Sequence, residues 1–282
     1  MLDKFSSFGF ILIFKFIKFS SNLMTPFLEI RKLSKNFGGL LALDTVSFEV
    51  NRNEVLGLIG PNGAGKTTLF NTISGIFKPS SGSIFFNGED ITGLKPHLVA
   101  AKGIIRTFQA TVLFHNLSVM ENVIIGCHLW SRSGVLRDLI SGLKLQKKED
   151  TYYIGVAFEL MESLGLISFK DELAGNLPHG YQRLVGIAVA LASNPKVLLL
   201  DEPVTGMNPI ETKETVDHIR RLAQERGLSV IIVEHDMKAI MSVCERIVAL
   251  NFGLKIAEGP PEIIMNSKEV IEAYLGAEYG RI

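Results

Sequence analysis

Three short runs of mostly apolar residues mark the hydrophobic pattern of this chain, at Val55–Ile59, residues 196–200 and Ser229–Val233. A strand with one solvated face alternates apolar and polar residues, whereas a continuous apolar run is typical of a parallel strand that is buried on both faces. The three runs therefore predict the centre of a parallel sheet in an α/β fold.

The first third of the chain is predicted to be rich in strands. The pattern indicates strands at residues 27–33, 45–50 and 83–86, with a Gly-Gly turn region between the first two and an Asn-Gly hairpin turn after the third. Near the other end, residues 246–250 and 254–257 predict a second hairpin, and two short helices are expected to finish the chain.

The middle third is predicted to be a helical lobe, at about residues 110–193, that is inserted into the α/β core. Ser118 and Glu121 form a capping box, which is typical of a helix N-terminus. Helices are predicted from this box through Trp130, at residues 151–164 and at residues 181–193, with a polar, basic loop or frayed helix at residues 131–150.

Composition narrows the function classes. The 282 residues carry 29 Lys and Arg against 29 Asp and Glu, so no global positive field favours nucleic acid as a partner. The hydrophobic fraction of 47% is enough for one large domain or two smaller lobes with a substantial core. Cys127 and Cys244 show neither metal-binding nor disulfide spacing, which fits a reducing compartment.

The N-terminal region, residues 1–24, needs its own interpretation because residues 8–19 are dense in Phe and Ile but carry Lys15 and Lys18. A transmembrane helix would be longer and less charged, and a signal peptide would end in a cleavage site of small residues. Two interpretations stay open: a basic amphipathic helix on a membrane surface, or an over-extended reading frame in which the mature chain starts at Met24. Intact-mass spectrometry of the native protein distinguishes them.

Residues 60–67, with the sequence Gly-Pro-Asn-Gly-Ala-Gly-Lys-Thr, are the most informative motif. They follow a predicted strand and precede a predicted helix, and this order makes a phosphate cradle. Backbone N–H groups would face the β- and γ-phosphates, Lys66 would reach their oxygens, and the Thr67 hydroxyl would ligate Mg²⁺. The alternative, a glycine-rich turn with an exposed lysine, does not account for the flanking strand and helix.

Acidic residues follow the run at residues 196–200, at the strand end where α/β sheets bind ligands. Asp201 is predicted to contact Mg²⁺ directly or through water, and Glu202 to act as the base or positioner of the attacking water. The alternative is a solvated acidic turn. Gln109 has the chemistry to reach Mg²⁺ or the water, and His235 to hydrogen-bond a γ-phosphate, although local sequence alone favours a structural role for both.

The ordered set of motifs resembles that of the ATP-binding-cassette (ABC) ATPases, from about residue 27 to the C-terminus. Residues 177–183, Leu-Pro-His-Gly-Tyr-Gln-Arg, stand where the family has its signature, usually Leu-Ser-Gly-Gly-Gln, and the Glu234-His235 pair follows. The resemblance implies a phosphate-loop NTPase core with an antiparallel β subdomain and an inserted helical subdomain, in one ATP-binding domain at residues 25–282. ATP and Mg²⁺ are the implied cofactors.

The resemblance also implies a set of site residues. Phe37 would stack on adenine, and the signature, through Gly180, would cap the ATP held by another subunit. The implied catalytic residues are Glu202, His235 and Gln109, and the implied metal-binding residues are Thr67, Gln109 and Asp201. The implied nucleotide-binding residues are Phe37, Gly60, Pro61, Asn62, Gly63, Ala64, Gly65, Lys66, Thr67, Thr68 and Gly180.

Within the family, several stretches are similar to the branched-chain amino-acid importer group: residues 36–39, 106–109, 120–123, 206–211, and the ending at residues 256–259 and 273–276. This similarity implies an ATPase, peripheral on the cytoplasmic face of the cell membrane, that energises import of branched-chain or other hydrophobic amino acids. The implied partners are integral-membrane permease subunits, a second ATPase subunit that is identical or homologous, and indirectly a periplasmic or extracellular solute-binding protein. Nucleic acid is not an implied partner.

The signature departs from the usual pattern. Pro178 replaces a serine whose hydroxyl would contact the γ-phosphate on the partner, and His179 and Tyr181 replace Gly and Gln. Gly186 stands where a charged residue is usual, and should cost its helix about 1 kcal/mol relative to Ala. A cassette that binds ATP without hydrolysing it is therefore one alternative. The others are the ATPase of a urea or lipopolysaccharide-type transporter, and a non-transport ABC ATPase that acts on ribosomes or DNA.

Overall fold

The computed structural model describes residues 26–107, 113–127 and 148–279. The strands are β1 Leu28–Phe37, β2 Leu40–Val50, β3 Val55–Ile59, β4 Ser81–Phe86, β5 Glu89–Asp90, β6 Ile104–Arg106, β7 Val197–Asp201, β8 Ser229–Val233, β9 Arg246–Asn251 and β10 Leu254–Gly259. The helices are α1 Lys66–Ile73, α2 Pro96–Lys102, α3 Val119–Gly126, α4 Lys148–Ser163, α5 His179–Ala192, α6 Pro209–Arg226, α7 Met237–Val243, α8 Pro261–Met265 and α9 Lys268–Tyr279.

The central sheet has the strand order β10-β9-β3-β8-β7-β6. Strand β3 pairs in parallel with β8 and β9, β7 pairs in parallel with β8 and β6, and β10 joins antiparallel at one edge. Every residue of β3, β7 and β8 is buried. The three apolar runs therefore form the interior of the parallel sheet, as predicted.

The two faces of this sheet contact two different hydrophobic clusters. On β3, Val55 and Ile59 belong to the cluster that contains the buried residues of α3, α4 and α5, whereas Leu56 and Leu58 belong to the cluster of β1, β2, β4 and α1. Because both faces are covered, a polar side chain on either face would be buried away from water, which explains why these strands do not alternate.

A second, antiparallel sheet has the order β2-β1-β4-β5. Buried residues of its strands β1, β2 and β4 belong to the same hydrophobic cluster as those of α1. The predicted turn at residues 38–39 joins β1 to β2, but both strands run closer to the turn than predicted. Near the turn Phe37, Leu40 and Leu41 are exposed while still paired. Side-chain burial, which produces the strand pattern in the sequence, therefore ends nearer the middle of β1 and β2 than the backbone pairing does.

The helices of the middle third pack together through α3, α4 and α5. The Ser118–Glu121 capping box is confirmed, since each side chain accepts a hydrogen bond from the other residue's backbone N–H. Helix α5 starts two residues before the predicted position, because Pro178 is its N-cap. The predicted continuation through Trp130 and most of the predicted loop at 131–150 lie outside the described residues, although the helix predicted from residue 151 already begins at Lys148.

The predicted fold class is confirmed: an α/β core around a phosphate loop carries an antiparallel β subdomain and a helical subdomain. The lobe boundaries at about residues 110 and 193 stay predictions, and residues 1–24 lie outside the described part of the chain. Within the ranges that the structure describes, no helix combines the length and the apolar character that crossing a membrane requires.

Candidate active site

The phosphate loop connects the end of β3 to the first turn of α1. Asn62, Gly63 and Thr67 are exposed, whereas the Lys66 side chain turns inward and the residue is only 7% exposed. The Lys66 ammonium donates to the Gly60 carbonyl at 2.5 Å and to the Pro61 carbonyl at 3.0 Å. No acidic residue lies in the first turn of α1 to offset the positive helix N-terminus. The loop is therefore a surface that attracts anions.

The charge on Lys66 is tuned by burial and by two carboxylates. Burial disfavours the ammonium and lowers the pKa of Lys66, while attraction by Glu202 and Asp201 opposes that lowering. The predicted catalytic and metal-binding carboxylates thus lie close enough to the predicted phosphate-binding lysine to affect its protonation. The structure brings these three site residues into one cluster.

Two glycines of the loop are required by contacts with the same chain. A Cβ on Gly60, at φ +151°, would lie 2.2 Å from the Leu250 carbonyl oxygen, and a Cβ on Gly65, at φ +103°, would lie 2.6 Å from the Ala42 carbonyl oxygen. The turn between β9 and β10 adds a hydrogen bond from the Gly253 N–H to the Ala64 carbonyl at 3.0 Å. The loop is therefore held between β2 and the β9–β10 hairpin before any ligand binds.

Asp201, at the end of β7, forms a buried ion pair. Its Oδ2 accepts from the Arg106 guanidinium at 2.7 Å, and the two side chains are 4% and 7% exposed. Arg106 also donates to Asn71 Oδ1 on α1 at 2.5 Å. Removing one partner of a buried pair leaves an uncompensated charge and costs about 3–5 kcal/mol. Through Arg106, the pair thus ties β6 and β7 to α1, the helix that the phosphate loop enters.

Glu202 follows Asp201 in the left-handed backbone region, with φ +51°. Such a conformation is uncommon for a residue other than glycine and is often found at functional sites. Its N–H donates to the Val233 carbonyl at 2.8 Å, and its carbonyl accepts from the Arg183 guanidinium. The His235 Nε2 lies 2.9 Å from the Glu202 Oε1. The two predicted catalytic residues are therefore in contact, and His235 orients the Glu202 carboxylate.

Glu234 fixes the backbone on both sides of this pair. It is 3% exposed, and its carboxylate accepts from the Val204 N–H at 2.7 Å and from the His235 N–H at 3.1 Å. Burial raises its pKa, although both hydrogen bonds act in the opposite direction. Because one carboxylate joins the segment after Glu202 to the segment that carries His235, it holds the two catalytic candidates at a fixed separation.

The signature segment begins α5. Pro178 is the N-cap and provides no side-chain hydrogen bond, and no acidic residue occupies the first turn. The buried Gln182 amide donates to the Leu177 carbonyl at 2.8 Å and so closes the turn from inside. Gly180 is half-buried, and a Cβ there would meet nothing nearer than Met207 Cγ at 3.4 Å. Together with the bond from Arg183 to Glu202, this geometry links the helix N-terminus to the carboxylate loop.

For two predicted site residues, Phe37 and Gln109, the predicted contact stays a prediction. Phe37 is 40% exposed, with its ring 5.1 Å from that of Phe77 and the Lys35 ammonium 4.8 Å from its centroid. An exposed ring beside a cation suits a stacked base, so its contact with adenine stays a prediction with a suitable surface. Gln109 lies outside the described residues.

Sequence reasoning missed two residues of the site. Arg106 was noted only as part of the 106–109 stretch, and its pairing with Asp201 spans 95 residues of sequence. Tyr274, on α9, accepts a hydrogen bond from the Gly60 N–H across 214 residues. No strand was predicted at Ile104–Arg106, and Tyr274 was noted only as part of the 273–276 stretch, so the local pattern signalled neither contact.

Comparison with known families gives two matches. Residues 43–205 match the family model described as ABC transporter. Residues 255–280 match the model described as branched-chain amino acid ATP-binding cassette transporter. The second match covers most of β10 and the helices that follow it.

Individual relatives match over nearly their whole length. The high-affinity branched-chain amino acid transport ATP-binding protein BraF of Pseudomonas aeruginosa is 40% identical, over 89% of this chain and 98% of its own. LivG of Escherichia coli K12, of the same description, is 38% identical with the same coverage. Among solved structures, the ADP conformation of MJ1267, an ATP-binding cassette of an ABC transporter, is 33% identical with a TM-score of 0.78, over 89% of this chain and 99% of its own.

Proposed function

The chain belongs to the ABC transporter family, and on that premise we propose that it is the ATP-hydrolysing subunit of an importer for branched-chain or other hydrophobic amino acids. The observation that carries the solute class is the match of residues 255–280 to the branched-chain model, because this segment lies outside the general cassette match at residues 43–205. The cluster of Lys66, Asp201 and Glu202 supports the hydrolytic part of the proposal.

In the proposed reaction, water attacks the γ-phosphorus of ATP held on the phosphate loop. The Glu202 carboxylate, oriented by His235, accepts a proton from the water as the new P–O bond forms. The bond between the γ-phosphorus and the bridging oxygen breaks, and that oxygen leaves on ADP. The Lys66 ammonium stabilises negative charge on the phosphate oxygens. Because Lys66 is almost fully buried, water screens that interaction little.

The residues around the loop fit Mg²⁺. The exposed Thr67 hydroxyl would hold the ion, and Asp201 would hold it through water because Arg106 already contacts its carboxylate; Gln109 is the third predicted ligand. Among residues 26–107, 113–127 and 148–279, no three His, Cys, Asp or Glu side chains converge as in an all-protein metal site. Mg²⁺ takes one or two protein oxygens plus water and phosphate oxygens and, when bound, would neutralise charge on the transferred group.

We further propose that two cassettes, identical or homologous, face each other so that the signature of one caps the ATP on the other. Gly180 has room around it within its own chain, which supports a role toward a neighbour. The permease subunits would dock at the helical lobe near Gln109, on the cytoplasmic face of the membrane, and the solute-binding protein would act on the opposite side. Nucleic acid has no place in this assembly.

A reconstituted transporter tests the proposal. The complex of the chain and its permease subunits, co-purified from native membranes, placed in proteoliposomes and supplied with the solute-binding protein, is expected to import leucine, isoleucine and valine in an ATP-dependent manner. Glu202→Gln is the matched control, because it keeps the side-chain shape and removes the base. Stimulation by urea alone, or extraction of lipopolysaccharide without amino-acid import, would replace the solute assignment. ATP binding with no turnover in the wild-type complex would leave a binding-only cassette, which Pro178 favours as the second candidate.

A further inference from the structure

The last described helix, α9, reaches the start of the phosphate loop. The Tyr274 hydroxyl oxygen accepts a hydrogen bond from the Gly60 N–H at 2.9 Å. The Tyr274 ring packs against the larger hydrophobic cluster, and burial raises the pKa of its hydroxyl. The hydroxyl is therefore neutral at physiological pH, and a rigid ring fixes its position.

The Gly60 N–H is at a point where the sheet no longer supplies a partner. The parallel ladders of β3 end with Leu58 opposite Val233 and Ile59 opposite Ala249, and Gly60 is the first residue beyond them. Gly60 is itself buried. A buried backbone N–H without a partner is costly, so the tyrosine hydroxyl replaces the lost ladder bond.

Gly60 is held from two sides. While Tyr274 binds its N–H, its carbonyl accepts from the Lys66 ammonium at 2.5 Å. The N–H and the carbonyl of Gly60 therefore connect α9 to Lys66, the lysine that is predicted to bind phosphate. A shift of Gly60 would change the position from which Lys66 starts when nucleotide arrives.

We infer that Tyr274 is a positioning residue of the nucleotide site, through which the C-terminal helix holds the phosphate loop ready for a nucleoside di- or triphosphate. This inference rests on the proposed function for the identity of the ligand, but the hydrogen bond itself does not. Without the hydroxyl, the Gly60 peptide would turn to find another acceptor, and binding would have to reorder it. A loop that must be reordered on binding has lower affinity for the same phosphates.

Tyr274→Phe tests the inference because it removes the hydroxyl and keeps the ring that docks α9. Affinity for ATP and for ADP is measured by calorimetry with Mg²⁺ on the full chain, in a Glu202→Gln background that prevents turnover. Both affinities are expected to fall about tenfold by the same factor, since the hydroxyl positions the loop and not the γ-phosphate. Tyr152→Phe on α4, a tyrosine that is 68% exposed, is the matched control and is expected to change neither affinity.

Amide hydrogen exchange gives the readout that a merely structural role would not move. In the nucleotide-free chain, exchange in a peptide spanning residues 56–66 is expected to be faster in Tyr274→Phe, with unchanged exchange in β8 and a melting temperature lowered by only a few degrees, as for one lost buried hydrogen bond. Unchanged affinity together with unchanged exchange at the loop would overturn the inference, as would a general loosening of α9 with normal affinity. If the Glu202→Gln parent itself binds no nucleotide, the proposed function fails, while exchange at Gly60 still reports whether Tyr274 holds the loop.

Discussion

The phosphate loop and the signature segment each lead into the N-terminus of a helix, but the first is enclosed by its own chain and the second is open. Around the loop, Gly60 and Gly65 leave no space for a Cβ, and Lys66 is almost fully buried. At the signature, a Cβ on Gly180 would make only ordinary contacts. Neither helix has a side-chain cap, since the N-caps are Gly65 and Pro178.

This difference shows which half of the site is completed by folding. Gly60 and Gly65 are required by neighbouring backbone within the chain, so the loop's shape is part of the stability of the domain. Nothing in the described fold requires a glycine at position 180 in the same way. If that glycine has a function, its reason must lie in a ligand or a subunit that approaches from outside, and the two halves should respond differently to the same kind of substitution.

The largest effect on turnover is expected at Glu202, the proposed base in the enclosed half of the site. Glu202→Gln removes the proposed base and should lower kcat by about 10³-fold, because the amide cannot accept the proton of the attacking water. ATP affinity should change little, since the substitution removes none of the contacts that hold Lys66 and the loop in place. Steady-state ATPase assays and equilibrium binding measure the two quantities. Glu225→Gln, on the exposed side of α6, is the control and should retain full activity; turnover near the wild-type rate in Glu202→Gln would assign the base elsewhere.

The enclosure itself is tested by Gly65→Ala. The new Cβ meets the Ala42 carbonyl at 2.6 Å in a backbone region that L-residues rarely adopt, so the free energy of unfolding should fall by about 2–4 kcal/mol. Urea unfolding followed by fluorescence measures it. Gly88→Ala, at φ +80° in an open turn, carries the backbone strain without the clash and should lose only about 1 kcal/mol. Equal losses in the two variants would mean that close packing does not hold the loop.

Gly180→Ala should separate the two halves most clearly. Its own helix should gain up to about 1 kcal/mol of stability, because Ala is the better helix former and the site has room. Turnover of the assembled transporter should nevertheless fall about 10- to 100-fold, because a Cβ would hold the signature backbone away from the facing nucleotide. Gly155→Ala, at an open position in α4, should give the stability gain alone. Unimpaired turnover in Gly180→Ala would remove the signature from the site.

The same contrast explains what the sequence could predict. The central strands were predictable because continuous burial leaves a continuous apolar run, and the helix at Ser118 because its cap is local. The phosphate loop was predictable because its chemistry is confined to eight consecutive residues. The ends of β1 and β2 were not, since backbone pairing continues where the side chains are already exposed.

Contacts between distant segments could not be predicted from local pattern. The Arg106–Asp201 pair joins two strands of the parallel sheet, and Tyr274 reaches Gly60 only because α9 packs beside the sheet. Each depends on strand order and helix placement, which a single sequence does not specify. The acidic residues of the site were picked out by their position after a buried strand, while the pairing of Asp201 with Arg106 was missed.

The smallest effect is expected at Pro178, the position where the open half departs from its family. Pro178→Ser would supply a side-chain cap to α5, worth about 0.5–2 kcal/mol, but would lose about 0.4–1 kcal/mol because a serine frees the unfolded chain. The net change in stability should therefore lie between a loss of about 0.5 and a gain of about 1.6 kcal/mol. Pro260→Ser is the matched control, because Pro260 is likewise an N-cap without a side-chain hydrogen bond and begins α8, away from the signature. A rise in kcat with Pro178→Ser and not with Pro260→Ser would report a hydroxyl contact across the subunit boundary. The rise is expected to be a few-fold at most, since one added hydrogen bond contributes about 1 kcal/mol. Identical behaviour of the two variants in melting and ATPase assays would show that the signature closes on its partner through backbone groups alone.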